Sequence, residues 1–207
     1  MSDSRHRIFV VDDDRSVRDA VSNLLESVGF TVRVFSGTEQ FLRAERPDVP
    51  SCLILDVRLP NTSGLDFQEQ LTKAGISIPI IFITAYGDIP MTSRAFKAGA
   101  VEFLTKPFQK QDLLTAIQHA LDRDRDQRAT QTAISSVQNR LDHLSGRERE
   151  VMDLVVTGLT NKEIALKLGL SEVTVKMYRG SMMKKMEATS LPELVRMAEK
   201  VKKPFSR

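Results

Sequence analysis

The 207-residue sequence contains 30 Lys and Arg, 27 Asp and Glu and a single Cys, and its formal net charge is +3. A chain of this length is long for one domain and short for three, so we expect two domains that each bury a core. The longest apolar stretch, residues 76–85, is far shorter than the roughly 20 residues that span a bilayer, and no basic segment followed by an apolar one opens the sequence. We therefore expect no membrane span, no export and a cytoplasmic location.

The charge is distributed unevenly along the chain. Residues 1–121 contain 13 Lys and Arg against 15 Asp and Glu, whereas residues 122–207 contain 17 against 12. A basic second half favours an approach to nucleic acid.

Up to about residue 121, short β-branched runs alternate with segments whose apolar residues recur at helical spacing. The runs cover residues 7–11, 31–35, 52–55, 78–83 and 101–104. Strands that are each followed by a helix predict a parallel sheet covered on both faces, so we expect a doubly wound α/β domain over residues 1–121. Cys52 begins the third run and is predicted to be a small core residue rather than a nucleophile.

Charged and hydroxyl side chains follow the ends of these predicted strands. They are Asp12 and Asp13 after the first strand, Asp56 after the third, Thr84 after the fourth and Lys106 just past the fifth. Functional groups of parallel sheets collect at the carboxyl ends of the strands, so these side chains are expected at one rim. Like charges in contact repel by roughly 4 kcal/mol per pair at an effective dielectric constant near 20, and the acids therefore need a cation that screens them.

The stretches VVDDD, LILDVRLPNTSG, FITAYGD and FLTKPF resemble the receiver domain of bacterial two-component response regulators over residues 5–121. The resemblance implies a flavodoxin-like sheet of strand order 2-1-3-4-5 and phosphorylation of Asp56 by a sensor histidine kinase. It implies a Mg²⁺ ion, whose ligands are Asp12, Asp13, Asp56 and the backbone carbonyl of Arg58. Phosphoryl transfer to a carboxylate relies on positioning and on cations that neutralise charge, which agrees with this set.

The same resemblance assigns roles around the phosphorylated side chain. Thr84 is expected to hydrogen-bond the phosphoryl group and Lys106 to pair with it. Phe103 is expected to be the aromatic side chain that moves inward on activation, and the Lys106–Pro107 peptide bond is expected to be cis.

Beyond residue 121 the segment DRDRDQRATQT has no apolar stripe. Asp122 with Arg125 and Asp124 with Arg128 are spaced for helical ion pairs, so we predict a solvated helical linker over residues 122–140. A heptad-like spacing then joins Ile134, Val137, Leu141 and Leu144. Two heptads do not establish a coiled coil, and a helix that packs on its own domains remains the favoured alternative.

Residues 141–207 are predicted to form a small all-helical domain with helices near 147–157, 161–168, 172–186 and 191–202. The helix starts are the capping boxes Ser145 with Glu148, Thr160 with Glu163 and Ser190 with Glu193, and the N-cap Ser171. The second and third helices fit a helix-turn-helix, whose second helix enters the major groove of DNA. The predicted DNA-binding residues are Lys162, Thr174, Lys176, Met177, Arg179, Ser181 and Lys184.

The stretches NKEIA, LGLSEVTVK and LPELVRMAEK resemble the LuxR-type DNA-binding domain, over nearly all of residues 141–203. With the receiver in front, the whole chain is similar to NarL/FixJ-class response regulators, in particular their FixJ and StyR branch. This resemblance implies a transcription regulator that dimerises on phosphorylation, binds double-stranded promoter DNA and contacts RNA polymerase. It implies no enzymatic activity beyond phosphorylation and dephosphorylation of Asp56.

Two positions of the predicted recognition helix bear on its specificity. Tyr178 stands where the family usually has histidine, and Gly180 in mid-helix either costs about 1 kcal/mol relative to alanine or lets the helix lie close to DNA. Two other functions are weighed against the regulator. One is an enzyme that turns over a phosphorylated metabolite at the acidic rim, and the other is a DNA-binding protein that needs no phosphorylation.

Overall fold

The computed structural model describes residues 6–202 of the chain. The chain divides into two compact units, Met1–Arg128 and Ala129–Arg207. Within residues 6–202, no helix combines the length and the apolar character that crossing a membrane requires.

The first unit is built on a parallel sheet. Its strands are β1 (Arg7–Val11), β2 (Thr31–Phe35), β3 (Ser51–Asp56), β4 (Ile80–Thr84) and β5 (Glu102–Thr105). They lie in the order 2-1-3-4-5 and every neighbouring pair is parallel, which confirms the predicted doubly wound sheet. β4 begins two residues later than predicted, and Pro79, which has no N–H to donate, stands directly before it.

Helices cover both faces of this sheet. They are α1 (Arg15–Ser27), α2 (Thr38–Arg43), α3 (Gly64–Lys73), α4 (Ile89–Lys97) and α5 (Lys110–Asp142). Alternate residues of β1 enter different cores, since Phe9 packs with Phe41 on one face while Ile8 packs with Ile117 on the other. Burial on both faces explains why the inner strands β1, β3 and β4 read as nearly continuous apolar runs. Cys52 is fully buried in the second of these cores, as predicted.

The helix α5 is 33 residues long and continues well past the sheet. The domain boundaries predicted at residues 121 and 141 both lie inside it and stay predictions. The predicted ion pairs form, with 2.7 Å between Arg125 and Asp122 and 2.6 Å between Arg128 and Asp124. The expected solvation is wrong for Asp124, which is 2% exposed because its carboxylate accepts a 2.8 Å hydrogen bond from the backbone N–H of Ser51.

The second unit contains the short helices α6 (Gly146–Val155), α7 (Asn161–Leu168), α8 (Glu172–Lys185) and α9 (Leu191–Lys202). The capping boxes at Ser145 and Thr160 and the N-cap Ser171 are confirmed. The third predicted capping box, Ser190 with Glu193, forms only one of its two expected hydrogen bonds. The Glu193 carboxylate accepts from the N–H and hydroxyl of Thr189, while the Glu193 N–H donates to Ser190 as expected.

One apolar core holds this second unit together. Val137 and Leu144 are buried in it, together with Val151, Ile164 and Met182. Leu141 packs against this core as well, so three of the four residues with heptad-like spacing pack within their own unit, as in the alternative to a coiled coil that the sequence favoured.

Candidate functional site

Three carboxylates meet at the carboxyl ends of β1 and β3. Asp12, Asp13 and Asp56 each offer an oxygen, and these oxygens lie within 4.8 Å of one another. Asp12 is fully buried, Asp56 is 7% exposed and Asp13 is exposed. The acidic rim that the strand ends predicted is confirmed. Clustered carboxylate oxygens are the donor set that hard divalent cations prefer, so these residues fit a metal site.

Lys106 places its ammonium between two of these acids. Its Nζ donates to Oδ2 of Asp12 and to Oδ2 of Asp56, both at 2.7 Å. Burial raises the pKa of Asp12 above its ordinary value, against the opposing effect of Lys106. Burial alone would lower the pKa of Lys106, but the hydrogen bonds and charges of Asp12 and Asp56 together raise it. The lysine therefore stays protonated and partly neutralises the acids.

The other predicted receiver residues lie at the end of β4, in β5 and directly after it. The buried Thr84 hydroxyl donates to the backbone carbonyl of Tyr86 at 3.2 Å and accepts from its N–H at 3.3 Å. The Lys106–Pro107 peptide bond is cis, as expected. Phe103 is half-buried, with its ring centroid 6.1 Å from that of Phe82.

Two glycines make close approaches that the sequence analysis did not anticipate. A Cβ on Gly64 would lie 2.3 Å from the backbone oxygen of Asp56, and one on Gly87 would lie 2.9 Å from the ring of Phe103. Glycine permits such contacts because it carries no side chain. The glycine that ends the LPNTSG stretch is the one sequence signal for the first contact.

A second unanticipated feature joins the loops after β3 and β4. The guanidinium of Arg58 stacks over the ring of Tyr86, 4.6 Å from its centroid. The Arg58 N–H also donates to Oδ1 of Asp56 at 2.9 Å. Sequence reasoning assigned only the carbonyl of Arg58, because nothing local shows which side chain of another loop it meets.

The seven predicted DNA-binding residues fall into two groups in the second unit. The exposed group is Lys162, Lys176, Met177, Ser181 and Lys184. Thr174 and Arg179 are half-buried, and Arg179 donates to Oδ1 of Asn161 at 3.1 Å. Ser181 donates its hydroxyl to Glu148 at 2.6 Å. Sequence reasoning missed Val173 on α8, whose exposed fraction is 73%.

Glu148 connects α6 to α8 beneath this surface. Glu148 is 4% exposed. Its carboxylate accepts hydrogen bonds from the side chains of Lys185 and Ser181 at 2.6 Å and from the N–H of Ser145 at 2.7 Å. The hydrogen bond from Lys185 is the largest of several causes that lower the pKa of Glu148 to about 2. The carboxylate is therefore ionised at neutral pH and fixes the start of α6 against α8.

Two protein families match the chain by their sequence models. "Response regulator receiver domain" matches residues 8–118, and "Bacterial regulatory proteins, luxR family" matches residues 142–198. The first match covers the sheet with the acidic rim, and the second covers the helices of the second unit.

Individual proteins resemble the chain over nearly its whole length. "Nodulation protein W" of Bradyrhizobium diazoefficiens is 54% identical over 192 residues, which are 93% of this chain and 85% of that protein. "Response regulator protein TodT" of Pseudomonas putida is 46% identical over 202 residues, 98% of this chain and 89% of that protein. A solved structure of the response regulator StyR is 48% identical with a TM-score of 0.83, covering 95% of this chain and 99% of that one.

Proposed function

The chain belongs to the two-component response regulators that combine a receiver domain with a LuxR-type DNA-binding domain, and on that premise we propose that phosphorylation of Asp56 controls promoter binding. Members of this family receive their signal from a sensor kinase and act as transcription factors, not as catalytic enzymes. The observation that carries the proposal is the position of Asp56, which lies beside Asp12 and Asp13 and is held by Lys106.

Asp56 is the proposed phosphoacceptor. Its Oδ1 is fixed by the N–H of Arg58 and its Oδ2 by Lys106, so the carboxylate is oriented before a phosphoryl donor arrives. The ammonium of Lys106 offsets the repulsion between an anionic nucleophile and an anionic donor.

A Mg²⁺ ion is proposed at the same rim, held by Asp12, Asp13, Asp56 and the carbonyl of Arg58. It would supply the positive charge that the phosphoryl oxygens need. The three carboxylates, brought together from two strands, support this assignment.

Thr84 and Phe103 are the proposed switch residues. The Thr84 hydroxyl must stop donating to the carbonyl of Tyr86 before it can donate to a phosphoryl oxygen on Asp56, and we expect the loss of this contact to displace the loop before α4. Gly87 in that loop lies against the ring of Phe103, so displacement of the loop shifts the ring as well. Phosphorylation thus shifts an equilibrium between two arrangements of the receiver.

The shifted receiver is proposed to form a homodimer through the surface around α4 and β5. Ile89 and Phe96 support this surface, because they are 86% and 45% exposed on α4. The dimer would place two second units on double-stranded promoter DNA. The residues that could contact the DNA without rearrangement are Lys162, Lys176, Met177 and Lys184. Thr174, Arg179 and Ser181 would join after adjusting their contacts within the unit. Contact with RNA polymerase and a cytoplasmic location complete the proposal.

The proposal is tested with Asp56→Asn, using Asp19→Asn as a matched control at an exposed acid of α1 whose ion pair lies within that helix. Beryllofluoride with Mg²⁺ is expected to dimerise the unchanged protein and the control in sedimentation, and to raise their affinity for promoter DNA. Asp56→Asn is expected to keep its melting temperature and show neither response. Dimerisation of Asp56→Asn by beryllofluoride would contradict the proposal, and equal DNA affinity with and without the mimic would favour constitutive binding.

A further inference from the structure

The outward side of α8 carries an apolar strip formed by Val173, Met177 and Gly180. Positions i, i+4 and i+7 lie on one face of a helix, and Val175 and Met182 occupy the opposite, buried face. Val173 is 73% exposed and Met177 is 67% exposed. Large apolar side chains exposed side by side on one helix indicate a surface that another molecule covers.

Gly180 lies on the same face and has no role in packing. Apart from its two chain neighbours and the backbone of α8 itself, a Cβ built at this position meets no atom of the described residues within 4 Å. Glycine weakens a helix interior relative to alanine, and here the fold gains no close contact in return. A close approach to a molecule outside the chain would account for the missing side chain.

The charges beside the strip identify the kind of molecule. Lys176 flanks the strip, Lys184 follows it on the same face, and both are exposed. Residues 122–207 contain 17 Lys and Arg against 12 Asp and Glu. An apolar strip with cations at its border fits the major groove of DNA, where phosphates line the edges and the 5-methyl group of thymine is the apolar group on the base edges.

We propose that Val173 and Met177 recognise thymine methyl groups, and that Gly180 is the point at which the backbone of α8 lies closest to the base edges. This inference rests on the proposed function, because it requires α8 to enter the major groove. It assigns a preference for thymine to the operator and gives Val173 a role in specificity. The lysines bind phosphates and hold the strip in register without reading the sequence.

The first experiment selects binding sites from a library of random DNA duplexes with the full chain and beryllofluoride. Each thymine of the selected site is then replaced by uracil, which removes one methyl group and leaves every hydrogen-bonding group in place. We expect affinity to fall about fourfold at each contacted thymine, the value for one buried methyl group. Val173→Ala and Met177→Ala should weaken binding and each remove the uracil effect at its own position. Leu166→Ala is the matched control, since Leu166 is 78% exposed on α7 and should change neither result.

The second experiment separates recognition from folding. Gly180→Ala is expected to raise the melting temperature of the second unit by about 4 °C, because alanine favours the helix. The same substitution is expected to lower affinity for the selected DNA, because its methyl group occupies the space into which the base edges fit.

The two experiments distinguish this inference from the function on which it rests. Selection of DNA whose thymines tolerate uracil, together with full affinity of Gly180→Ala, would overturn the inference and leave the regulator intact. That result would be expected if a protein covered the strip. Failure to select any DNA with the activated chain would overturn both the proposed function and the inference.

Discussion

Replacing the buried carboxylate of Glu148 tests how the second unit keeps α8 in place. Glu148→Gln preserves the size of the side chain but removes the charge that Lys185 contacts at 2.6 Å. The pKa of Glu148, about 2 against an ordinary 4.5, corresponds to about 3 kcal/mol of unfolding free energy at neutral pH. Lys185 is 40% exposed, so solvent screens part of this interaction, and we expect a loss of about 2 kcal/mol.

The dependence on pH follows from the lowered pKa. The folded state binds the proton of Glu148 more weakly than the unfolded state, so the stabilisation is fully present above pH 4.5 and is lost as the pH falls towards 2. Glu148→Gln should therefore be less stable than the unchanged protein at pH 7, and the difference should shrink steadily below pH 4.5.

The assay is urea unfolding followed by tyrosine fluorescence. The chain contains two tyrosines, so a Tyr86→Phe background leaves Tyr178 as the reporter of the second unit. Glu150→Gln is the control, because Glu150 forms an exposed pair with Arg147 and its replacement should change stability by less than about 0.5 kcal/mol. A loss for Glu148→Gln that is equally large at pH 7 and pH 2.5 would refute the electrostatic explanation.

Substitutions at two further positions test contacts of the first unit. Asp124→Ala should lower the unfolding free energy of this unit by about 2 kcal/mol, because it leaves the N–H of Ser51 without its acceptor and Arg128 without a buried partner. Asp124→Asn should recover part of the loss. Urea unfolding reported by Tyr86 in a Tyr178→Phe background measures both variants, and equal stability of the two variants and the unchanged protein would contradict the role of the carboxylate. Gly64→Ala should destabilise the unit by about 1–3 kcal/mol and slow beryllofluoride uptake, because the added Cβ would displace the backbone of Asp56. Stopped-flow tyrosine fluorescence measures the rate of uptake. An unchanged rate would show that the site tolerates a shift of the Asp56 backbone.

The sheet and its helices could be predicted because their signals are local. The run RIFVV is apolar at nearly every position, and the structure buries alternate residues of it in two different cores. The helix starts at Ser145 and Thr160 follow from a hydroxyl and an acid three residues apart, which meet within the first turn. The acidic rim could be predicted as well, because the ends of parallel strands share one edge.

The features that sequence reasoning missed join residues far apart in the chain. Asp124 is 73 residues from its partner Ser51. Its four-residue spacing to Arg128 predicts a helical ion pair but gives no sign that the carboxylate is buried. The stack of Arg58 on Tyr86 likewise depends on how two loops are placed by different strands. Even the local box at Ser190 was wrong in part, because Thr189 offers Glu193 a hydroxyl and an N–H together.

The resting contacts of the acidic rim bear on how one phosphoryl group at Asp56 could change a surface some distance away. Lys106 and Thr84 are both engaged, the first with Asp12 and Asp56 and the second with the backbone of Tyr86. A phosphoryl group that recruits only Lys106 would leave the loop before α4 in place, because that lysine already contacts Asp56. Under the proposal, the Thr84 hydroxyl would donate to the phosphoryl group instead of the Tyr86 carbonyl, and this step would break a contact of the loop. The proposed switch therefore depends on Thr84 more than on the lysine, and α4 is the helix it would move.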